Sequence, residues 1–234
     1  MAVAIRDGFD YITGMQRGYS LPKLILTILV VGILCTLVVH TYFCWQPQDL
    51  TGIDGREKIL KEGKDVQHVN LLNKVNNAAR DGRVVKITEE ELNRYIAANL
   101  KLEQSGMMKK YSDVKGVYVD LTDDNIEVII ERNIAQYDEE GNPKDGTMEP
   151  RTNTVAMKFN IFTTKEGNTT KVTTKFPGGS FGKAPAPGLY VKLVKGSFDQ
   201  IRQHFEDELK VGYKEVVAIN IADGYMEIEP KKPE

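Results

Sequence analysis

The chain has 234 residues, a formal net charge of -2 and two cysteines, Cys35 and Cys44. The near-neutral balance gives no basic footprint for nucleic acid. The absence of cysteine after residue 44 excludes both a disulfide framework and a thiolate metal site from the rest of the chain.

Residues 1–23 read as a cytoplasmic tail and residues 24–45 as a transmembrane helix. Leu24 to Val39 is uncharged and broken only by Thr27, Gly32 and Thr36, and His40 to Trp45 extends it. The whole run gives roughly 33 Å of helix, enough for a bilayer core of roughly 30 Å. Pro22 is placed as a helix starter. Tyr42 and Trp45 sit where an aromatic belt lies, with Tyr19 near the other end. A cleaved signal peptide needs small residues at its cleavage site, whereas this run ends in the bulky His40-Thr41-Tyr42-Phe43-Cys44-Trp45. A lipoprotein also needs small residues before its cysteine, and Leu34 and Phe43 stand there instead. Arg6, Arg17 and Lys23 precede the span, and the first basic residue after it is Arg56. That bias predicts a cytoplasmic N-terminus and an extracytoplasmic C-terminal domain at the cell (inner) membrane.

Residues 46–82 read as a linker and helix. Pro47, Gly52, Gly55 and Gly63 interrupt the first part. Asp65 to Arg80 then places Val66, Val69, Leu72 and Val75 at helical spacing before Asp81-Gly82 stops it. Residues 83–230 read as the soluble α+β domain. Val84 to Ile87 is a short strand. Thr88-Glu89-Glu90-Glu91 is a capping box for a helix with a stripe of Leu92, Tyr95, Ile96 and Leu100. From Val114 the period becomes two, so Val117, Val119 and Leu121 lead through a turn at Thr122–Asn125 into Ile126, Val128 and Ile130. A polar loop spans residues 138–150. Val155, Met157, Phe159 and Ile161 share one face of the next strand, and Thr170, Val172, Thr174 and Phe176 one face of a fourth. Phe176 to Tyr190 reads as a Gly/Pro-rich crossing. An amphipathic helix follows, from Leu189 to Leu209, and a hairpin around Asp223-Gly224 closes the chain. Strands in series with helices at the ends predict a curved antiparallel sheet of about four to six strands packed on long helices.

Chemistry is sparse. His68 and His204 lack cysteine partners and zinc spacing. Pro177 to Lys183 lacks the spacing of a phosphate loop, because Ala184 follows Lys183. Ser180 lacks the frame of a nucleophile elbow. Asp123, Asp124, Glu139 and Glu140 form no calcium ladder. The expectation is a protein that is not an enzyme, with no cofactor and no metal.

One combination is informative. Lys86-Ile87-Thr88-Glu89-Glu90-Glu91-Leu92-Asn93 opens a helix, a hairpin spans Val114 to Ile130, and Phe181-Gly182-Lys183-Ala184-Pro185-Ala186-Pro187-Gly188 precedes the amphipathic helix and the terminal hairpin. Over residues 84–229 this order of elements resembles the membrane-anchored bacterial proteins of the YpmS type and, more distantly, the tubular lipid-binding superfamily. The resemblance implies a long helix wrapped by a curved sheet, with acyl chains held between them. Phe159, Ile161, Phe176, Phe181, Phe198, Ile201 and Phe205 supply the apolar lining such a site needs; the same residues equally suit a closed core. Two expectations follow. One is a tethered domain that binds lipid or another apolar ligand, its partners the bilayer, a bound lipid and other envelope proteins. The other is an envelope assembly or scaffold subunit that acts through protein contacts and has no ligand.

Overall fold

In the computed structural model, residues 21–62, 70–100, 110–138, 142–144, 149–166, 169–186, 198–199, 201–205 and 216–230 are described. The chain divides into two units, Met1–Tyr42 and Phe43–Glu234.

The first unit is the apolar helix α1 (Leu21–Trp45), whose last residues belong to the second unit. It is long and apolar enough to cross a membrane and has no buried residue. The hydroxyls of Thr27, Thr36 and Thr41 donate to the carbonyls of Lys23, Gly32 and Leu37, each at 2.8 Å. Each threonine thus satisfies its polar group inside the helix, as a hydrocarbon environment demands.

The second unit is α+β, with two antiparallel sheets and short helices. One sheet has five strands in the order β2 (Ser112–Thr122), β3 (Asn125–Ile134), β4 (Arg151–Glu166), β5 (Thr169–Phe181), β6 (Ala184–Ala186). The other joins β1 (Val85–Thr88), β8 (Tyr225–Pro230) and β7 (Val216–Ala222), in that order. The helices are α2 (Arg56–Glu62), α3 (Leu71–Asp81) and α4 (Glu89–Asn99). Tight turns follow residue chemistry. Asp124 (φ 61°) and Gly224 (φ 74°) take left-handed conformations in the two hairpins, which Asp tolerates and Gly adopts freely.

The local signals of the helices are realised. The Thr88 hydroxyl accepts from Glu91 N while the Glu91 carboxylate accepts from Thr88 N, forming the capping box. Burial works to raise the Glu91 carboxyl, but hydrogen bonds from Lys74 and Thr88 outweigh it and hold the group below its ordinary range. Asn70 caps α3 through a bond from Asn73 N, and Gly82 (φ 63°) ends it. The described helix starts at Leu71, so the expected positions Val66 and Val69 lie outside the described residues.

The alternating rows of the five-stranded sheet meet α4 and β7 in one core. Val117, Val119, Leu121, Ile130, Val155 and Met157 join Ile96, Phe198 and Ile221. Burying a side chain such as Leu121, which is 0 % exposed, contributes about 1.5–3 kcal/mol. A satellite core of Leu71, Val85 and Ile87 packs α3 against β1 and β8.

Two expectations give way. The segment from Gln46 to Gly63, expected as a linker or frayed helix, covers the opposite face of the sheet over its described part. Leu50 and Ile53 pack on Tyr118, Ile129 and Ala156, so both faces of β2–β4 are covered. The Gly/Pro-rich crossing expected from Phe176 is strand as far as Phe181, turned by Gly182-Lys183 into β6. Pro177 is accommodated because the register with β4 shifts between Lys158 and Asn160, beside it. Of the amphipathic helix expected from Leu189 to Leu209, residues 198–199 and 201–204 are helical, and most of the remainder lies outside the described residues.

Candidate functional site

The seven apolar residues expected to line a ligand site converge on one region. Phe198, 7 % exposed, is part of the main core. Phe159, Ile161, Phe181, Ile201 and Phe205 are partly buried against that core. Phe176 is the outlier at 59 % exposed, its ring edge-on to Phe159 with centroids 4.9 Å apart. Phe205 meets Tyr95 of α4 at 5.9 Å, which ties the described helical turn to α4. The apolar row of β4 and β5 therefore runs from the closed core at Val155 out to a solvent-facing end at Phe176.

A second constellation is polar and closed. Asn93 is 0 % exposed and Glu89 3 %. Asn93 Oδ1 accepts from Val119 N at 2.6 Å, and its Nδ2 donates to Val119 O at 2.9 Å and Asp54 O at 3.0 Å. The Glu89 carboxylate accepts from Asp54 N and Leu121 N, both at 2.7 Å. Gly224 N donates to Leu121 O at 2.9 Å, and Glu89 N donates to Gly224 O at 2.9 Å. β2 is an edge strand, and these groups take the place of a neighbouring strand along it. Burial raises the Glu89 carboxyl above its ordinary range. The bonds from Leu121 and Asp54 oppose that shift, and the charges of Asp120 and Asp54 add to it.

The chain leaving α1 is also held. Lys183 N donates to Phe43 O (3.0 Å) and Gln46 O (2.9 Å), and Asn153 Nδ2 donates to Cys44 O at 2.8 Å. Gln48 N donates to Thr154 Oγ1 at 2.9 Å, and Gln48 Nε2 to Ser180 Oγ at 2.8 Å. The glycines of Pro177–Lys183 serve this packing. A Cβ on Gly179 would collide with the Ala156 carbonyl, and one on Gly182 with the carbonyls of Phe43, Cys44 and Gln46. Across the sheet, Arg56 bonds both oxygens of Glu131 (3.0 and 3.2 Å) and lies 5.6 Å from the centre of the Tyr118 ring.

No group of three or more His, Cys, Asp or Glu residues suited to a metal occurs among the described residues. His204 bonds Asn99 O at 2.9 Å and stands edge-on to Phe205, which gives it a packing role. His68, Glu139 and Glu140 lie outside the described residues. Sequence reasoning missed the Glu89–Asn93 clasp, although Asn93 stands on the stripe of Ile96 and Leu100 at helical spacing. No protein-family model matches the chain, and no curated protein or solved structure matches it.

Proposed function

We propose that this is a single-pass membrane-anchored protein, not an enzyme, whose domain binds lipid or another apolar ligand at the membrane surface. The reading places the N-terminus in the cytoplasm and the domain outside the cell (inner) membrane. One observation carries it: the core-facing row of β4 and β5 continues beyond the closed core to Phe159, Ile161 and the exposed Phe176. An exposed phenyl ring set edge-on against a half-buried one is an unfinished apolar surface, and a membrane-anchored domain works where lipid is abundant. The resemblance to YpmS-type and tubular lipid-binding proteins supports the same reading.

The test is photo-crosslinking of the full chain in proteoliposomes that contain a phospholipid with a diazirine in its acyl chain. Adducts on peptides bearing Phe159, Ile161 or Phe176 are expected. Adducts confined to Leu21–Trp45 would count against the reading and favour the scaffold subunit that acts through protein contacts.

A further inference from the structure

Arg132 lies on the core-facing row of β3, two positions after Ile130 and opposite Asn153 of β4. Among the described residues it takes part in no ion pair. Its hydrogen bond is long, from Nη2 to Asn153 Oδ1 at 3.4 Å, and its Nε is buried without an acceptor. Burial pulls the guanidinium below its ordinary range. The contrast with two other arginines is sharp. Arg56 and Arg94 also bury an unbonded Nε, yet each grips both oxygens of a carboxylate, on Glu131 and Glu62. A half-buried guanidinium with no counter-anion calls for one.

The surroundings indicate which anion. The Asn153 side chain that meets Arg132 also holds Cys44 O, so Arg132 stands one residue away from the backbone that ends the apolar helix. Trp45, 48 % exposed, is an interfacial aromatic at that same end. Lys183 and Arg151 are exposed cations nearby in the chain path, Lys183 through the hydrogen bond its backbone N–H donates to Phe43 O and Arg151 two positions before Asn153 on β4. Where a membrane helix leaves the hydrocarbon, the abundant anion is the headgroup phosphate, and a planar guanidinium fork matches phosphate oxygens.

We propose that Arg132, positioned by Asn153, is the anchor of a phosphate-binding site for a phospholipid headgroup at the exit of the apolar helix. It deepens the lipid reading but rests on a different part of β4 from Phe159 and Ile161, so the two fail separately.

The experiment is equilibrium dialysis of the full chain in uncharged detergent micelles against radiolabelled dihexanoyl phosphatidylglycerol, inorganic phosphate and dihexanoylglycerol, each corrected for empty micelles. Saturable binding of the phospholipid is expected. In R132Q it weakens at least about tenfold, the worth of a charge-assisted hydrogen bond. In R132K, which keeps the charge and loses the fork, it weakens less; if R132Q does not fold, R132K decides. Inorganic phosphate bound as tightly as the phospholipid supports the site and assigns it to the free anion. The proposal is overturned if neither phosphate compound saturates, or if the variants bind like the wild type. It is equally overturned if dihexanoylglycerol binds as tightly as the phospholipid, an outcome that leaves the apolar-ligand reading standing.

Discussion

The Asn93 side chain pairs with the Val119 backbone as a neighbouring strand would. One carboxamide accepts from Val119 N at 2.6 Å and donates to Val119 O at 2.9 Å. Its remaining proton reaches Asp54 O at 3.0 Å. Replacing it leaves buried backbone groups on two segments unbonded, at about 1–3 kcal/mol for each group. N93A is expected to lose at least about 3 kcal/mol in urea unfolding of the detergent-solubilised chain. N93D, which brings a carboxylate against two carbonyl oxygens, is expected to lose at least as much. An N93L variant as stable as the wild type would refute the strand-edge role.

Glu89 gives the fold a definite pH dependence. Burial raises its carboxyl above the value in the unfolded chain, and neighbouring Asp120 and Asp54 add to the shift. The folded state therefore holds this proton more tightly than the unfolded state. Stability from this group is full below the unfolded value of about 4.3 and is lost as pH rises through the raised folded value. The stability of the wild type relative to E89Q is expected to increase as pH falls from 7.5 towards 5. The measurement is paired urea titrations across that range. A flat or falling difference would show that the bonds from Asp54 and Leu121 outweigh burial.

The division between what was legible and what was not follows the range of the interactions. The Thr88–Glu91 box and the Gly82 stop are encoded within a turn of chain, and the alternation of Val117, Val119 and Leu121 needs only its own strand. The roles of Leu50 and Ile53 depend on Tyr118 and Ile129, far along the chain, while the flanking Pro47, Gly52 and Gly55 advertise a linker. The glycines at 178, 179 and 182 advertise a loop in the same way, yet here they allow backbone to approach backbone in a sheet. Arg132 continues the row of Ile126, Val128 and Ile130 in the sequence, but nothing local shows that its side chain meets Asn153, far along the chain.

Gly182 is a position where a methyl group is expected to act at a distance. Its φ of 52° disfavours any other residue, and a Cβ would strike the carbonyls of Phe43, Cys44 and Gln46. G182A is expected to lose at least about 1–2 kcal/mol from the left-handed conformation alone. It also breaks the bonds from Lys183 N to Phe43 and Gln46. Hydrogen exchange should then speed up at the amides of Gln48 and Lys183 while that of Val119 is unchanged. Equal protection in both proteins would mean that the segment tolerates the methyl group.

Membrane orientation is testable through an exposed residue of the edge strand. K115C in a C35S/C44S background places one accessible thiol on β2, since Lys115 is exposed. An impermeant maleimide added to intact cells is expected to label it. Labelling only after lysis would reverse the proposed topology.

Phe198 and Phe176 separate the closed core from the proposed ligand surface. Phe198 is 7 % exposed among Ile96, Val155 and Ile221, so truncation leaves a cavity. F198A is expected to cost about 3–5 kcal/mol. Phe176 is 59 % exposed and touches Phe159 by its edge. F176A removes that aromatic pair, worth about 0.5–1.5 kcal/mol, and little else. A residue retained for packing should change stability and leave lipid adducts in place, whereas one retained for a ligand should do the reverse. F176A is therefore expected to unfold within about 1.5 kcal/mol of the wild type and to lose most of the acyl-chain adducts on peptides bearing Phe159 and Ile161. A variant that keeps those adducts would make Phe176 an incidental surface ring and move the search for the ligand away from this end of β4 and β5.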